Sequence, residues 1–221
     1  MLTKKEIRFC LDTMGEMFPD AHCELVHRNP FELLIAVLLS AQTTDANVNR
    51  VTKSLFQKYK TPEDYLAVDV TELENDIRSI GLYRTKAKNI QKLCRTLIEE
   101  FDGEVPQTRE ELMKLAGVGR KTANVVLSVA FGVPAIAVDT HVERVAKRLA
   151  FCRWKDSVRQ VEETLMKKIP KEEWSISHHR FIFFGRYHCK AMNPNCPECP
   201  LLEICREGKK RMRKKGVIVE A

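Results

Sequence analysis

The sequence of 221 residues has no long hydrophobic run. Its longest stretch without a charged residue, residues 122–138, spans 17 positions and is interrupted by Gly132 and Pro134. A membrane-spanning helix needs about 20 consecutive apolar residues, so a buried helix followed by a loop is expected instead. Residues 1–9 are charged and no apolar stretch follows them, unlike a secretory signal. With 44% hydrophobic residues, which excludes wholesale disorder, the chain is expected to be a globular cytoplasmic protein without membrane contact.

The chain also lacks alternating polar and apolar runs separated by hairpin turns, which excludes an all-β architecture. Apolar residues instead recur at three- and four-residue spacing, which predicts an all-α fold. The predicted helices are residues 4–17, 30–39, 45–59, 71–79, 84–101, 109–115, 120–131, 141–150, 156–168 and 171–186. Capping boxes are predicted at three helix starts: Thr71 with Glu74, Thr108 with Glu111, and Thr140 with Glu143.

Charge is not evenly distributed. The net charge is +7, from 37 basic and 30 acidic residues, and residues 206–215 alone contain seven basic residues and one acidic residue. A basic segment of this kind favours polyanions through release of their counterions. A solvated tail that aids solubility explains the same composition equally well.

Eight cysteines divide into two groups. Four of them are scattered through helical segments, where they are expected to be small core residues: Cys10, Cys23, Cys94 and Cys152. The other four lie close together with the spacing C-x6-C-x2-C-x5-C: Cys189, Cys196, Cys199 and Cys205. Four thiols on a proline-rich loop indicate a metal site in an intracellular chain, where disulfides are rare. The uneven spacing favours an iron–sulfur cluster, with tetrahedral zinc as the alternative.

A glycine turn between two predicted helices is the strongest signal outside the cysteines. Residues 115–119 read Leu-Ala-Gly-Val-Gly, and an apolar helix follows. Glycines let a backbone approach a ligand closely, and the N–H groups at a helix start attract phosphate. A plain helix–helix turn is the simpler alternative.

Lys121 and Asp139 follow this turn. Lys121 is predicted in the first turn of its helix, where the helix dipole and partial burial would favour the neutral amine that Schiff-base chemistry needs. Asp139 precedes the next helix, whose N–H groups would keep its carboxylate ionised. A phosphate contact for Lys121 and a simple helix cap for Asp139 are the alternatives.

A short internal similarity accompanies the turn. Residues 79–87 and residues 115–123 align at an offset of 36 positions, and both read as helix, glycine turn and helix. The first copy carries Thr85 where the second carries Lys121, so only the second supplies a nucleophile at that position. Chance similarity is the alternative explanation for so short a match.

Three motifs in this order resemble the endonuclease III family, the helix-hairpin-helix DNA glycosylases with an iron–sulfur cluster. The motifs are Leu-x-Gly-Val-Gly-Arg-Lys-Thr-Ala, Val-Asp-Thr-His-Val-x-Arg and the four-cysteine spacing, and the similarity runs from about residue 4 to residue 211. The segment Leu-Leu-Ser-Ala-Gln-Thr-Thr-Asp at residues 38–45 is also similar to the family. This resemblance implies two helical domains that flank a DNA-binding cleft. These are residues 22–132 with the hairpin, and residues 1–21 plus 133–211 with a 4Fe–4S loop at 189–205, followed by a tail at 212–221.

By the same resemblance, Lys121 is the nucleophile and Asp139 its catalytic partner in a bifunctional DNA glycosylase and abasic-site lyase. The enzyme would flip an oxidised pyrimidine out of duplex DNA, displace it through a Schiff base, and nick the strand by β-elimination. DNA contacts are implied at Gln42, Ile80, Leu82, Gly117, Val118, Gly119, Arg120, His141 and Lys190. The four clustered cysteines would hold the cluster, and nothing requires more than a monomer.

Three other functions are weighed against this one. The adenine glycosylase of mismatch repair shares the cluster and the aspartate, but it lacks the lysine and usually carries a further domain. A non-catalytic DNA-binding module would use the hairpin and basic segment without needing Lys121 and Asp139. An electron-transfer protein would use the cysteines, with the helices as scaffold.

Overall fold

A computed structural model describes residues 1–214, which form helices joined by turns and contain no β-strand. The first six helices are α1 Lys4–Met17, α2 Pro30–Ser40, α3 Asp45–Lys58, α4 Pro62–Leu66, α5 Val70–Asp76 and α6 Tyr83–Phe101. The next six are α7 Arg109–Leu112, α8 Arg120–Phe131, α9 Thr140–Arg148, α10 Val158–Lys168, α11 Trp174–Phe183 and α12 Arg206–Lys214. A 3-10 turn, Lys171–Glu173, leads into α11, and a π-turn, Phe184–His188, continues it. The all-α prediction is confirmed.

The chain folds into two compact units. One is Cys23–Val133, and the other combines Met1–His22 with the chain from Pro134 onward. In Cys23–Val133, α2 packs against α3, α6 and α8. Leu33, Leu34 and Ile35 of α2 are fully buried, as expected for a helix that is apolar on nearly every side.

The other unit has its own apolar core. Helix α9 packs against α10, α11 and α12, and α1 packs against α11. The Phe151 and Phe181 rings meet edge to face at a centroid distance of 5.2 Å, and both side chains are buried. Such aromatic pairs add about 0.5–1.5 kcal/mol beyond the area they bury.

Helix starts follow local capping chemistry, although two predicted caps are wrong. Thr108 is the N-cap of α7 and accepts a hydrogen bond from the Glu111 amide, but the Glu111 carboxylate accepts from the Thr108 hydroxyl, not from the backbone amide as in the predicted box. Helix α5 is capped by Asp69, which accepts from the Thr71 amide at 2.8 Å. Helix α9 is capped by Asp139, so Thr140 is its first helical residue. In both corrections an aspartate precedes the threonine, and a carboxylate is at least as good a cap as a hydroxyl.

Two helices were not predicted. Helix α4 is only five residues long and begins at Pro62, a favoured first residue of a helix. Helix α12 lies in the basic segment, extends into the expected tail at residues 212–221, and buries Met212. Residues 215–221 of that expected tail lie outside the described part of the chain.

The scattered cysteines are mostly core residues, as predicted. Cys10 and Cys94 are fully buried and Cys152 nearly so, and burial raises the pKa of the Cys10 thiol to about 12. Cys23 is half-buried beside the core of its unit. No helix within residues 1–214 is long and apolar enough to cross a membrane.

Candidate active site and cysteine loop

The glycine turn before α8 is shaped by Gly117. This residue has φ +80°, a left-handed conformation that favours glycine, and a Cβ added there would lie 3.0 Å from Asn89 Nδ2 and 3.2 Å from Leu38 Cδ1. The Val118 amide donates to the Leu115 carbonyl at 3.1 Å, which closes the turn, and the Val118 side chain is buried. Val118, predicted as a DNA contact, therefore holds the turn onto the core.

Gly119 is the N-cap of α8. Apart from Gly119 and its chain neighbours, no residue among 1–214 has an atom within 4 Å of a Cβ built on Gly119, so the backbone is open to a ligand on this side. Arg120 is half-buried and opens the helix, and Lys121 follows it with an exposed side chain. The partial burial expected for Lys121 is wrong. Ala123, Asn124, Val126 and Leu127 take the core-facing positions of α8 and leave Lys121 on its solvent side.

Asp139 is held at the start of α9. Its Oδ1 accepts hydrogen bonds from the His141 amide at 2.9 Å and the Val142 amide at 2.8 Å. Two N–H donors at the helix N-terminus hold the carboxylate in place. Both recorded bonds go to Oδ1, which orients the second oxygen, Oδ2. Asp139 belongs to the unit that contains α9, and Lys121 belongs to Cys23–Val133.

His141 lies on the first turn of α9 and is half-buried. Its Nδ1 lies 3.2 Å from Arg144 Nη2, which also donates to the Gly185 carbonyl at 2.7 Å. A Cβ on Gly185 would lie 2.9 Å from His141 Cβ, so a side chain at 185 would displace the π-turn from α9. The packing of α9 on the π-turn thus sets the position of His141.

The predicted DNA-inserting residues lie on two turns of Cys23–Val133. Gln42 and Leu82 are both exposed and both have left-handed backbone conformations, with φ +56° and +58°. A non-glycine residue in this region is strained, and such strain clusters at functional sites. Ile80 is only 2% exposed and belongs to the core, so its burial argues against a direct DNA contact and for a supporting one.

The cysteine loop surrounds one cavity in the unit that contains α9. Cys189, Cys196, Cys199 and Cys205 all border this cavity, as do Arg148, His188 and Gly208. Among residues 1–214, no group of three or more His, Cys, Asp or Glu side chains has an arrangement that could hold a metal ion. A four-iron cluster is larger than one ion and takes its thiolates from around a cavity, and the lining of this cavity supplies that donor set.

Arg148 organises the loop and was missed from the sequence. Its guanidinium is buried and donates to the Lys190 carbonyl at 2.7 Å, the Ala191 carbonyl at 2.9 Å and Cys189 Sγ at 3.4 Å. The Gly208 amide lies 3.3 Å from Cys205 Sγ. Donors of this kind stabilise thiolate charge. An arginine on the apolar face of a predicted helix, four residues after Arg144, is the signal that could have revealed it.

Lys190 projects from the loop into solvent, and its backbone is held on both sides. Its amide donates to the His188 carbonyl at 3.0 Å, and its carbonyl receives the bond from Arg148. The exposed side chain is therefore carried on an anchored backbone, as a phosphate contact requires.

Comparison with known proteins identifies the family. A profile described as HhH-GPD superfamily base excision DNA repair protein matches residues 35–171. Endonuclease III of Bacillus subtilis (strain 168) is 72% identical over 218 residues, covering 99% of both chains. Endonuclease III of Haemophilus influenzae is 50% identical over 195 residues, covering 88% of this chain and 92% of that one.

Solved structures agree with these sequence relatives. A trapped covalent intermediate of an endonuclease III with DNA, an estranged-adenine complex, matches with a TM-score of 0.95 and 78% identity. The match covers 96% of this chain and 100% of that one. A family profile that spans more than half of the chain and relatives this similar leave one assignment, and the chain belongs to the endonuclease III family of the HhH-GPD superfamily of base excision DNA repair proteins.

Proposed function

We propose that this DNA glycosylase and abasic-site lyase removes oxidised pyrimidines from duplex DNA, with Lys121 as its nucleophile. The observation that carries the proposal is the position of Lys121, exposed in the first turn of α8 directly behind the open glycine turn. The related endonuclease III that was trapped covalently on DNA supports a covalent mechanism.

Binding begins at the phosphate backbone. Gly119 and the first turn of α8 would receive a phosphate against their N–H groups, and Arg120 and Lys190 would each offer a cation to the DNA backbone. Gly117 and Val118 hold this turn in place. Gln42 and Leu82 would enter the duplex when the damaged nucleotide is flipped out. Flipping costs a few kcal/mol, and the cost is lower for a damaged base than for an intact pair.

The reaction then proceeds through an imine. The neutral Lys121 amine attacks C1′ of the deoxyribose, and the glycosidic bond breaks so that its electron pair leaves with the base. Proton loss from nitrogen and ring opening give the imine, which acidifies C2′. Removal of a C2′ proton expels the 3′ phosphate by β-elimination, and water then hydrolyses the imine to regenerate the lysine.

Asp139 serves this sequence through Oδ2, the oxygen that does not accept the two amide hydrogen bonds. Because Oδ1 accepts two amide hydrogen bonds, we assign Oδ2 to stabilise the cationic sugar or to take the proton from the lysine. His141 follows Asp139 on α9, and its side chain is positioned by Arg144 to meet the DNA backbone.

A 4Fe–4S cluster held by Cys189, Cys196, Cys199 and Cys205 is part of the same proposal. The cluster would close the loop into one shape, and Arg148 would neutralise part of the thiolate charge while it holds the Lys190 backbone. A visible absorbance band with iron and sulfide in equal amounts is expected, and stoichiometric zinc instead would refute this assignment. A monomer working at the nucleoid in the cytoplasm is expected from this function.

The decisive experiment uses a duplex with one abasic site. Lys121→Ala should abolish both strand nicking and borohydride trapping of the protein on DNA, whereas the control Lys88→Ala, an exposed lysine on α6, should retain both. Asp139→Asn should slow release of an oxidised pyrimidine. Trapping of Lys121→Ala at the normal level would show that another amine is the nucleophile. A wild-type protein that binds the duplex without nicking it would indicate the non-catalytic binding module.

A further inference from the structure

Lys86 on α6 is a buried lysine that the proposed reaction does not use. It is 4% exposed, and its Nζ donates to the Leu39 carbonyl at 2.8 Å, to the Ala41 carbonyl at 2.5 Å and to Thr43 Oγ1 at 3.5 Å. Burial lowers the pKa of Lys86. A buried ammonium is expensive unless its donors are satisfied, so these three oxygens account for its presence.

The three acceptors lie where α2 ends. The last carbonyls of a helix have no partner within the helix, and a cation near them is favourable to the helix dipole. The chain leaves α2 at Ala41 and passes directly into Gln42, with φ +56°. Lys86 thus binds the backbone on one side of Gln42 and the Thr43 side chain on the other.

The same threonine reaches the second turn. Thr43 Oγ1 accepts from the Gly81 amide at 3.1 Å, and a Cβ on Gly81 would lie 2.9 Å from the Gln42 carbonyl. Leu82, 57% exposed with φ +58°, follows Gly81 and is the N-cap of α6, the helix that carries Lys86. Lys86 therefore lies one helical turn after Leu82 in the sequence, and its side chain is hydrogen-bonded to the residues beside Gln42.

Further contacts join α3, the helix that follows the Gln42 turn, to Ser79 of the Leu82 turn. Asn47 Nδ2 donates to the Ser79 carbonyl at 3.0 Å, and Arg50 Nη2 donates to Ser79 Oγ at the same distance. These side chains lie nearer the surface than Lys86 and do not contact the backbone beside Gln42. Lys86 reaches both the Leu39 and the Ala41 carbonyls, and the Thr43 hydroxyl also donates to the Ala41 carbonyl, at 3.5 Å.

We propose that Lys86 is a positioning residue that sets Gln42 and Leu82 at the spacing needed to enter DNA together. The inference rests on the proposed insertion of these two residues. A non-glycine residue is costly to hold in the left-handed conformation, so without the ammonium the Gln42 turn relaxes to other conformations. In that case the turn must be ordered before Gln42 and Leu82 can insert. The cost weakens binding to damaged DNA, where insertion occurs, and leaves the phosphate contacts to undamaged DNA unchanged.

The experiment compares Lys86→Met with Lys88→Met. The first keeps most of the apolar stem and removes the three donors, and the second removes an exposed lysine from the same helix. The probe is a duplex with a tetrahydrofuran abasic analogue opposite 2-aminopurine, beside the same duplex undamaged. The ratio of the two Kd values measures discrimination, and the 2-aminopurine fluorescence at saturating protein reports the state of the orphaned base.

Lys86→Met should lower discrimination about 10-fold and reduce the fluorescence change, because part of the binding energy now orders the turn. Binding to undamaged duplex should stay within about twofold of wild type, and Lys88→Met should keep the wild-type ratio. A structural role alone changes the folded fraction but does not change fluorescence at saturation. Unaltered discrimination and fluorescence in folded Lys86→Met would overturn the inference.

Two further sets of variants keep the test decisive. Thr43→Val removes the oxygen shared by Gly81 and Lys86 without emptying the core, so it should lower discrimination even if Lys86→Met does not fold, and an unchanged ratio would then overturn the inference. Gln42→Ala and Leu82→Ala test insertion itself. If neither changes discrimination, the proposed insertion fails, and the inference about Lys86 fails with it. If both lower it while Lys86→Met and Thr43→Val do not, only the inference about Lys86 fails.

Discussion

Two glycine turns in Cys23–Val133 have similar sequences, but the lysine in the helix after each turn is buried in one case and exposed in the other. The turn at residues 79–82 leads into α6, and the turn at residues 115–119 leads into α8. Each contains a left-handed residue, Leu82 in the first and Gly117 in the second. In the first turn a side chain must occupy the strained position, and it projects into solvent. In the second, glycine relieves the strain, and the backbone itself is presented.

The lysines differ in what surrounds them. Lys86, the fourth residue of α6, is buried against three oxygens, whereas Lys121, the second residue of α8, is exposed. Two positions along a helix rotate a side chain by more than half a turn, which is enough to exchange core for solvent. A lysine on the inner face stabilises a scaffold, and a lysine on the outer face is available to a substrate. The comparison therefore predicts opposite consequences for removing each.

The largest effect is expected from Lys121→Gln. Loss of the amine should reduce abasic-site nicking by at least about 1,000-fold, equivalent to about 4 kcal/mol in the barrier. Stability should change by less than about 0.5 kcal/mol, because the exposed side chain contributes little packing. Nicking rates and urea denaturation measure the two quantities. A strongly destabilised Lys121→Gln would show that Lys121, like Lys86, stabilises the fold, and would contradict the contrast between the two lysines.

Gly117→Ala should have the next largest effect, on stability. The left-handed backbone costs alanine about 1–2 kcal/mol more than glycine, and the Cβ would press on Asn89 and Leu38. The free energy of unfolding should therefore fall by about 2–3 kcal/mol. Urea denaturation beside wild type measures it. An unchanged midpoint and slope would mean that the turn can adopt another conformation at no cost.

Lys86→Met should destabilise the protein by about 1–2 kcal/mol, since the buried Leu39 carbonyl loses a donor while the side-chain stem is retained. Lys88→Met on the exposed side of α6 should remain within about 0.5 kcal/mol of wild type. Thermal or urea unfolding of the two variants gives the difference. Equal stabilities would show that water replaces the ammonium at the end of α2, and that the two lysines differ in exposure without differing in role.

The sequence predicts one half of this comparison better than the other. Periodic apolar residues predict α6 and α8 within about one residue, because long amphipathic helices bury a regular stripe. The glycine turn before α8 is also recognisable, because two glycines separated by one residue between apolar helical segments predict a tight turn. The role of Lys86 could not be read, because its acceptors are backbone carbonyls some 45 positions away in the chain. The short helix α4 was missed for a related reason: five residues carry too little periodicity.

The cysteine loop and Asp139 show the same limit. Spacing alone indicates a group of four thiols, whereas the buried Arg148 that holds their loop depends on contacts 41–43 residues apart. Asp139 was expected near a helix start, and the structure adds that both amide bonds reach the same oxygen. Helix caps and ligand spacings can thus be predicted from the sequence, whereas the partners of a buried charge that lie far away in the chain can be identified only from the structure.

The smallest effect is expected from Gly119→Ala. This substitution tests the exposed backbone of the turn at residues 115–119 without disturbing Gly117, its left-handed residue. Gly119 has φ −94°, which alanine adopts freely, and apart from its chain neighbours a Cβ there meets no atom within 4 Å among residues 1–214. Alanine is a poorer N-cap than glycine but loses less chain entropy, so stability should stay within about 0.5 kcal/mol of wild type.

The methyl group added at position 119 would stand between the α8 amides and a phosphate. Affinity for an undamaged duplex should then fall about fivefold, or about 1 kcal/mol, in a titration at constant salt. Wild-type affinity would mean that phosphate is bound by side chains, and that the second turn, like the first, serves to display them.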